Sequence, residues 1–485
     1  MLASNPHVRS MRQVVVFPNN SRWLLTVVLS TLALTSLACD DSATTPPAED
    51  IQDRDRKVTP PDDNWSVSTA LSGGVGVQVD LDVSPSGTIG IAYFSASGRE
   101  DGTCDALGIP DPPIQVRWTL TYAEYAGGTW NTEIVDEPLL LGQPVGLDLE
   151  FAPDGRATIA AMNGLPVAQI RFCGANDVGY FERQSAGNWT SSTVVATSGQ
   201  AATGEAGSDY GDVVGYWPTL AYAPNGDVAI AYRDVHAGGM QSDDLRRADL
   251  EMAWGQGGGG WTPIPVDYGR GAGNFNSLTF DSQSIPYLAY YTPTQDIDDP
   301  QLGIWVTRSL DHGATWERVQ LFASGTSEGP AVAFGTDGVL NVVYYKSSKG
   351  LPELARLVDP EAFEDVATGW VRTDIGDKSF DEGYTPSIAV NADGVIAAAY
   401  YRCAKGLSGL GNCSPGEDAL VFTWSKDGQT WTQEVIDQGE EGTCGSTPAL
   451  AFDADGSAVV AYQCYVMVDS ALMSEVRFAR RDPLP

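Results

Sequence analysis

The fold is decided by a segment of 14 residues that recurs along the chain. Residues 220–233 read LAYAPNGDVAIAYR, and close copies follow at 332–345 (VAFGTDGVLNVVYY), 388–401 (IAVNADGVIAAAYY) and 450–463 (LAFDADGSAVVAYQ). Looser copies occupy 81–94, 149–162 and 278–291. Each copy has an apolar run, a turn and a second apolar run, which predicts a β-hairpin. Seven hairpins in one chain indicate a repeat protein.

A turn residue marks the centre of each copy, because tight hairpin turns need the positive φ that glycine supplies. Six copies have glycine there and one has serine: Gly87, Gly155, Gly226, Ser284, Gly338, Gly394 and Gly456. A tyrosine follows six residues later, except in the second copy, where Ala161 replaces it. The runs are apolar on both faces, which predicts sheets that are covered on both sides.

A second hairpin follows most copies and ends in a strand that begins with tryptophan. These tryptophans are Trp130, Trp189, Trp261, Trp316, Trp370 and Trp431. Four strands per repeat and seven repeats predict an all-β, seven-bladed β-propeller with four-stranded antiparallel blades. The last repeat lacks its tryptophan strand, and Trp65-SVSTAL near the start of the chain matches it. The N-terminal strand is therefore predicted to complete the last blade. The alternative is a set of separate β-sandwiches, which the even repetition disfavours.

The charge of the chain excludes several classes of function. Asp and Glu number 63 against 28 Lys and Arg, which gives a net charge of −35. We expect no nucleic-acid partner, since phosphate neutralisation needs clustered Lys and Arg. A three-histidine zinc site is not expected either, because only His7, His236 and His312 are present. No cofactor is expected. Asp453-x-Asp455-Gly456 matches part of a calcium loop, so calcium is the one alternative, and we interpret the run as a turn.

The N-terminus is typical of an exported protein. Residues 23–38, WLLTVVLSTLALTSLA, form an apolar run that is short for a membrane span and typical of a signal peptide. Ser36-Leu37-Ala38-Cys39 resembles a bacterial lipoprotein signal. This resemblance implies lipidation of Cys39 and anchoring to the cell envelope, at the outer membrane or cell surface. Secretion with nearby cleavage and an uncleaved anchor are the alternatives, and either Met1 or Met11 can be the start.

Three regions are predicted: a signal peptide at 1–38, a disordered tether at 39–63 and the propeller at 64–485. The tether is polar, charged and proline-bearing, so it has almost nothing to bury. Contact with the membrane is expected through the lipid anchor only, and the protein is expected to be a monomer.

The cysteine count fits export. Without Cys39, an even number remains, which allows up to three disulfides. The candidates are Cys104, Cys173, Cys403, Cys413, Cys444 and Cys464. Proximity in sequence favours pairs 403–413 and 444–464, which leaves 104–173.

Two of the second hairpins carry a more specific motif. Residues 309–316 read SLDHGATW and 425–431 read SKDGQTW. Both resemble the Asp box of the sialidase-like superfamily of BNR-repeat propellers. The box is a structural motif in which Ser and Asp bond turn amides, Gly takes the turn conformation and Trp packs beneath. Its residues are Ser309, Asp311, Gly313, Trp316, Ser425, Asp427 and Trp431.

The resemblance has limits. Sialidases have six blades, and their Arg-Ile-Pro signature is absent from this chain. Their arginine triad, Tyr/Glu nucleophile pair and acid cannot be assigned here residue by residue, so the catalytic residues stay unknown. Sialidase activity therefore rests on analogy of fold alone.

A binding site is expected on the face that carries the connections between second and third strands. Inner strands begin there, at 212–217, Glu328, 382–385 and 445–447, and second strands end there. The candidate ligand-binding residues are Arg233, Asp234, Lys346, Arg402, Tyr216, Trp217 and Glu328. The cations can bind an acidic sugar, or each is a solvated strand end or pairs with Asp234, Glu328 or Glu382. Tyr216 and Trp217 are candidates for stacking against a sugar.

The sequence thus favours an envelope-anchored propeller that binds or scaffolds a glycan or a protein. The alternative is a sialidase-like glycoside hydrolase or lyase acting on extracellular glycans. That chemistry needs two carboxylates about 5–10 Å apart. Asp212, Asp234, Glu328 and Glu382 are the candidates for such a pair.

Overall fold

The chain forms a seven-bladed β-propeller of four-stranded antiparallel blades, which confirms the predicted architecture. The computed structural model describes residues 62–72, 75–100, 115–141, 144–164, 176–195, 213–235, 249–256, 259–267, 271–293, 300–323, 329–403, 418–438, 443–468 and 471–484. The short strand β6 (Leu139–Leu141) pairs with the third strand of blade 1, and one parallel bridge, Val213 to Asn176, links blades 2 and 3.

Strands run from the inside of each blade outward. Blade 1 consists of β2 (Val75–Val83), β3 (Ile89–Glu100), β4 (Gln115–Ala126) and β5 (Thr129–Asp136). Blade 2 consists of β7 (Leu147–Phe151), β8 (Ala157–Gly164), β9 (Asn176–Ser185) and β10 (Asn188–Val195). Blade 3 consists of β11 (Val213–Tyr222), β12 (Val228–Val235), β13 (Asp249–Gln256) and β14 (Gly259–Asp267). Blade 4 consists of β15 (Asn274–Phe280), β16 (Pro286–Thr292), β17 (Gly303–Arg308) and β18 (Glu317–Phe322). Blade 5 consists of β19 (Ala331–Phe334), β20 (Leu340–Lys346), β21 (Leu351–Leu357) and β22 (Trp370–Asp374). Blade 6 consists of β23 (Asp381–Val390), β24 (Ile396–Cys403), β25 (Ala419–Ser425) and β26 (Thr432–Asp437). Blade 7 consists of β27 (Thr443–Phe452), β28 (Ala458–Val468), β29 (Ala471–Arg481) and β1 (Trp65–Leu71). A one-turn helix, α1 (Val366–Gly369), lies between β21 and β22 after a 3-10 turn at Pro360–Ala362.

The inner hairpins turn through left-handed residues. Gly226 has a φ of 92°, and its amide donates to the Ala223 carbonyl at 2.9 Å. In blade 4, Ser284 takes the glycine position with a φ of 64°. Asp281 stabilises that turn, because its Oδ1 accepts from the amides of residues 283 and 285 at 2.8 and 2.9 Å. Asn391 makes the same two bonds in the Gly394 turn of blade 6, so this side-chain bonding stabilises the turn with or without glycine.

The first strand of the chain closes the ring. β1 pairs antiparallel with β29, with Trp65 opposite Arg481. The Trp65 ring is buried and meets Phe422 of blade 6 edge-on at 5.1 Å. Its indole N–H donates to Glu434 Oε2 at 2.9 Å. The N-terminal strand completes the last blade, as the missing tryptophan strand predicted.

The cores lie between blades, not within isolated sandwiches. One apolar cluster joins blades 4 and 5, and another joins blades 6 and 7. The repeat tyrosines are buried in these seams, and most of their hydroxyls donate to outer-strand carboxylates. Tyr232 bonds Glu251 at 2.7 Å, and Tyr290 bonds Asp267 at 2.6 Å. Both faces of each inner sheet are covered by neighbouring blades, as predicted, and these tyrosine hydroxyls have acceptors in the seams.

Polar side chains also join neighbouring inner strands. Each stands directly before the apolar residue that begins the repeated segment of its own blade. Its side-chain oxygen accepts a hydrogen bond from the backbone N–H of the matching apolar residue in the next blade. Asp80 accepts from Leu149 at 2.6 Å, and Ser387 accepts from Leu450 at 3.0 Å. The other two pairs are Asp148 with Leu220 and Ser277 with Val332. These bonds fix the register between blades around the channel.

Both Asp boxes form closed hydrogen-bond networks. Ser309 Oγ accepts from the Gly313 amide at 2.6 Å, and Asp311 accepts from the Thr315 amide at 2.8 Å. In blade 6, Ser425 accepts from the Gly428 amide at 2.9 Å, and Asp427 accepts from the Thr430 amide at 2.7 Å. Trp316 and Trp431 pack against the blade cores. The boxes therefore stabilise their turns.

One disulfide, Cys444–Cys464, links directly paired residues of β27 and β28 with a Cα–Cα distance of 4.1 Å. Cys403 is also disulfide-bonded. Cys39, the other predicted cysteines, the signal peptide and most of the tether lie outside the described residues. Within the described ranges, no helix combines the length and apolar character needed to cross a bilayer.

Candidate ligand-binding site

Connectivity places the long loops on one side of the propeller. We call this side the loop face: it carries the connections from second to third strands and from each blade to the next. The chain leaves blade 3 at Val235 and returns at Asp249, and it leaves blade 6 at Cys403 and returns at Ala419. The opposite face carries the tight turns of the inner hairpins. Loops on a rigid scaffold are where ligands commonly bind.

Arg233, at the end of β12, lies buried beneath the loop face at the junction of blades 3 and 4. It is 2% exposed, and its Nη1 donates to Asn274 Oδ1 of blade 4. The guanidinium carbon is 5.6 Å from the centroid of a Trp217 ring. Burial lowers the pKa of Arg233 to about 10, although Tyr216 and Asp249 favour its charged form. The expectation of a solvated strand end is wrong for this residue.

Trp217 is held from several directions. Its amide donates to the Val145 carbonyl of blade 2 at 2.7 Å, and its carbonyl accepts from Asn276 Nδ2 of blade 4 at 2.7 Å. Its ring centroid lies 4.6 Å from that of Phe275 and 5.8 Å from that of Tyr216. All three aromatic residues are half-buried, and Tyr216 and Phe275 also pack against apolar clusters between blades.

Lys346 is engaged within blade 5. Its Nζ forms an ion pair with Glu353 Oε2, and Tyr344 donates to the other oxygen of that carboxylate. Its Nζ also lies 5.9 Å from the centroid of Phe322. Lys346 is thus neutralised by a partner that the sequence did not suggest. Glu328, which the sequence suggested, lies outside the described residues.

Arg402 is buried in blade 6, with 3% exposure and its guanidinium carbon 4.0 Å from the Phe380 centroid. Burial lowers its pKa, against the attraction of Glu382. Glu382 is its direct partner in the β23–β24 ladder and is fully buried. Burial raises the pKa of Glu382 to about 7, although its Oε1 accepts from Gln433 at 2.8 Å. This cation is also not a solvated strand end.

The predicted site residues thus divide into two groups. Tyr216, Trp217, Arg233 and Asp234 lie together at blade 3, where Tyr216 pairs with Arg233 in the β11–β12 ladder. Lys346 and Arg402 belong to blades 5 and 6. They form no ring with Arg233, because Arg233 follows its repeat tyrosine directly and the other two stand one residue further, on the alternate side of their strands.

A hydroxyl–carboxylate network joins blades 5 and 6 where their strands meet the loop face. Tyr345 donates to Asp381 Oδ1 at 2.7 Å, and Tyr384 donates to Oδ2 at 2.9 Å. The two phenol rings stack at 4.4 Å. Burial, with the Asp381 carboxylate nearby, raises the pKa of Tyr384, so this phenol keeps its proton at neutral pH and donates it in the hydrogen bond to Asp381.

The inner strands share a feature that sequence analysis missed. Each repeated segment begins with an apolar residue, such as Leu220 in blade 3. Three residues before it, the backbone is left-handed in six of the seven blades, and five of these residues are not glycine. Their φ values are 55° for Gln78, 47° for Trp217, 48° for Phe275, 46° for Thr385 and 47° for Thr447, with 96° for Gly146 in blade 2. The ladder register shifts at the five non-glycine positions, so each is a β-bulge.

These equivalent positions surround the mouth of the central channel, and we call them the mouth ring: Gln78, Gly146, Trp217, Phe275, Gly329, Thr385 and Thr447. The members from blades 2 to 5 lie against one another. A Cβ on Gly146 would stand 2.7 Å from the Trp217 Cα, and one on Gly329 would overlap the Phe275 side chain. A sequence signal did exist, because proline follows the ring position in four repeats: Pro218, Pro330, Pro386 and Pro448.

Metal-binding geometry is weak in the described ranges. Their one cluster with ligand spacing is Asp437, Cys444 and Cys464, and both cysteines are used by the disulfide. The Asp453–Asp455 turn binds Arg480 instead, at 2.5 and 2.8 Å. Those carboxylates are neutralised by a guanidinium, which fits the interpretation of this run as a turn.

No known protein family and no curated protein matches the chain. Among solved structures it is similar to a protein of unknown function from Dyadobacter fermentans, at 11% identity and a TM-score of 0.45, over 87% of this chain and 100% of the other. A Trypanosoma rangeli sialidase matches at 11% and 0.47, over 87% and 59% of the two chains. A Fusarium graminearum α-L-arabinofuranosidase matches at 15% and 0.42, over 74% and 97%. Such distant likenesses say nothing about function, so the propeller assignment rests on the strand pairing of the chain itself.

Proposed function

We propose that this protein is exported, is anchored to the cell envelope through Cys39, and binds an extracellular glycan at its loop face without chemical turnover. A protein ligand is the alternative of the same class. The proposal extends the resemblance of residues 36–39 to a lipoprotein signal. It joins that address to the chemistry of the loop face.

One observation carries the binding proposal: the half-buried aromatic group of Tyr216, Trp217 and Phe275, fixed beside a buried arginine. Aromatic faces stack well on the apolar faces of sugars. Rigid aromatic side chains lose little conformational entropy when they bind. The group is rigid because the Trp217 backbone is bonded to blades 2 and 4 and its ring contacts Arg233.

Glycan-array binding of the purified unit 56–485 tests the proposal, with calcium and with chelator in parallel. We expect selective retention on a small set of glycans, unchanged by chelation. A folded protein that binds no glycan would exclude a glycan ligand and would redirect the search to protein partners. Dependence on calcium would contradict the interpretation of residues 453–456 as a simple turn.

Glycoside hydrolysis is the second candidate, and the Asp381–Glu382 region favours it. Burial gives Glu382 a pKa of about 7, so this group can carry a proton at neutral pH. The adjacent Asp381 accepts from two tyrosines. Release of reducing sugar from bound glycans, abolished in Asp381→Asn and Glu382→Gln, would establish the enzyme. Binding without release would support the non-catalytic role.

A further inference from the structure

The mouth ring has two chemically different halves. Blades 3 and 4 contribute the aromatic pair Trp217 and Phe275, flanked by Gly146 and Gly329. The other half is polar, with Thr385, Thr447 and Gln78 from blades 6, 7 and 1. None of the seven residues carries a charge. The mouth ring therefore combines an aromatic half with a neutral half whose side chains can form hydrogen bonds.

The non-glycine residues of the ring are held against their backbone preference. A side chain at a φ near 50° costs about 1–3 kcal/mol, and glycine would remove that cost. Blade 2 has glycine at this position, with a φ of 96°. Strain that persists in five blades indicates that the side chains themselves are needed where the bulges hold them.

The polar half contains hydroxyls without a partner. Thr385 Oγ1 and Thr447 Oγ1 are both buried and make no hydrogen bond within the described part of the chain. Both residues are only half-buried overall. A rotation about χ1 exchanges the hydroxyl and the methyl group of a threonine between staggered positions. Each hydroxyl can therefore turn outward when a bonding group arrives, which relieves the cost of an unsatisfied buried oxygen.

The aromatic half, in contrast, is held in place by contacts with neighbouring residues. The rings of Trp217 and Phe275 lie 4.6 Å apart, and the Arg233 guanidinium lies against the tryptophan. Asn276 bonds both the Trp217 carbonyl, at 2.7 Å, and Thr219, at 2.9 Å. The platform is thus fixed before any ligand arrives, which lowers the entropy cost of binding.

We propose that the mouth ring binds one neutral sugar ring, whose apolar face stacks on Trp217 and Phe275 and whose hydroxyls bond Thr385, Thr447 and Gln78. This inference rests on the proposed glycan-binding function and names its site and ligand class. An amphipathic ring matches a two-sided ring of residues, none of which carries a charge. Acidic glycans are not the expected ligands, because among the described candidate cations Arg233 and Arg402 are buried and Lys346 is ion-paired.

The test compares variants on an array of neutral and acidic oligosaccharides, followed by calorimetric titration of the best neutral oligosaccharide. Trp217→Ala is expected to weaken binding at least 10-fold, and Trp217→Phe less than about 5-fold, since it keeps an aromatic face. Thr385→Val keeps the shape and loses the hydroxyl, so a loss of about 3- to 10-fold is expected. Trp130→Ala is the matched control: Trp130 is half-buried in the outer strand β5, far from the channel, and should leave affinity unchanged.

The outcomes separate the two proposals. Glycan binding that survives both Trp217→Ala and Thr385→Val leaves the binding function standing and overturns the mouth ring as its site. Binding restricted to acidic glycans overturns the neutral ligand class. No binding to any glycan overturns both. If Trp217→Ala fails to fold, Thr385→Val still decides, because it keeps the shape of the side chain and removes only the hydroxyl.

Discussion

Single side chains stabilise the turns whose backbone amides have no partner in a β-ladder, and the Asp box of blade 6 is one such turn. Ser425 is 1% exposed and its Oγ accepts from the buried amide of Gly428 at 2.9 Å. The same oxygen accepts from the Asp427 amide at 3.3 Å and donates to the Asp427 carboxylate at 2.9 Å. One hydroxyl therefore organises the whole turn.

We expect Ser425→Ala to lower the free energy of unfolding by about 1–3 kcal/mol, because it leaves a buried amide without an acceptor. Urea unfolding followed by tryptophan fluorescence measures the loss. Ser66→Ala is the control, since Ser66 is exposed and makes one weak bond to the Arg480 carbonyl at 3.2 Å. Equal midpoints for the two variants would show that the box does not stabilise the fold.

At the scale of elements, the hairpins, the blade count and the closing strand were predictable because their causes are periodic. Turn glycines, apolar runs and tryptophans repeat along the chain, and the repeat that lacked a strand pointed to Trp65. The mouth ring was not predictable in this way. A left-handed φ at Trp217 or Phe275 leaves no mark on composition, since it arises from bulges set by neighbouring blades. The partner of Lys346 was missed because Glu353 lies on the next strand, which pairing alone brings near.

The closing strand depends on one buried carboxylate. Glu434 of β26 accepts from both sides of the Arg481 guanidinium at 2.8 and 2.7 Å and from the Trp65 indole at 2.9 Å. Burial would raise the pKa of Glu434, but the bonds from Arg481 and Trp65 hold it below its usual value. The ion pair thereby joins β26 of blade 6 to both outer strands of blade 7.

Glu434→Gln is expected to destabilise the propeller by about 3–5 kcal/mol, because it leaves the Arg481 charge buried and unpaired. The double variant Glu434→Gln with Arg481→Met should recover part of that loss, since no buried charge remains. Thermal unfolding of the three proteins measures both effects. A double variant no more stable than the single one would mean that shape at this junction, not charge, holds β1 in place.

At the scale of the whole molecule, stability depends on buried carboxylates of the inner strands as well as on the charges at the surface. Asp80, Asp82, Asp148 and Glu150 lie on the adjacent inner strands β2 and β7. Burial raises the pKa of Asp82 to about 7, and burial with the charge of neighbouring carboxylates raises the pKa values of Asp148 and Glu150. In the unfolded chain these groups ionise near pH 4. Between about pH 4 and 7 the folded state therefore binds more protons than the unfolded state.

Stability is consequently expected to fall as the pH rises through this window, because the free energy of unfolding decreases wherever the folded state holds the extra protons. The shift of Asp82 alone corresponds to at most about 4 kcal/mol, and repulsion within a chain of net charge −35 acts in the same direction. Urea midpoints measured from pH 4.5 to 8.5 give the slope. Asp82→Asn with Asp148→Asn should flatten it while keeping oxygen acceptors for the amides of Phe151 and Leu220. An unchanged slope in the double variant would mean that repulsion at the surface, and not these inner-strand carboxylates, causes the pH dependence.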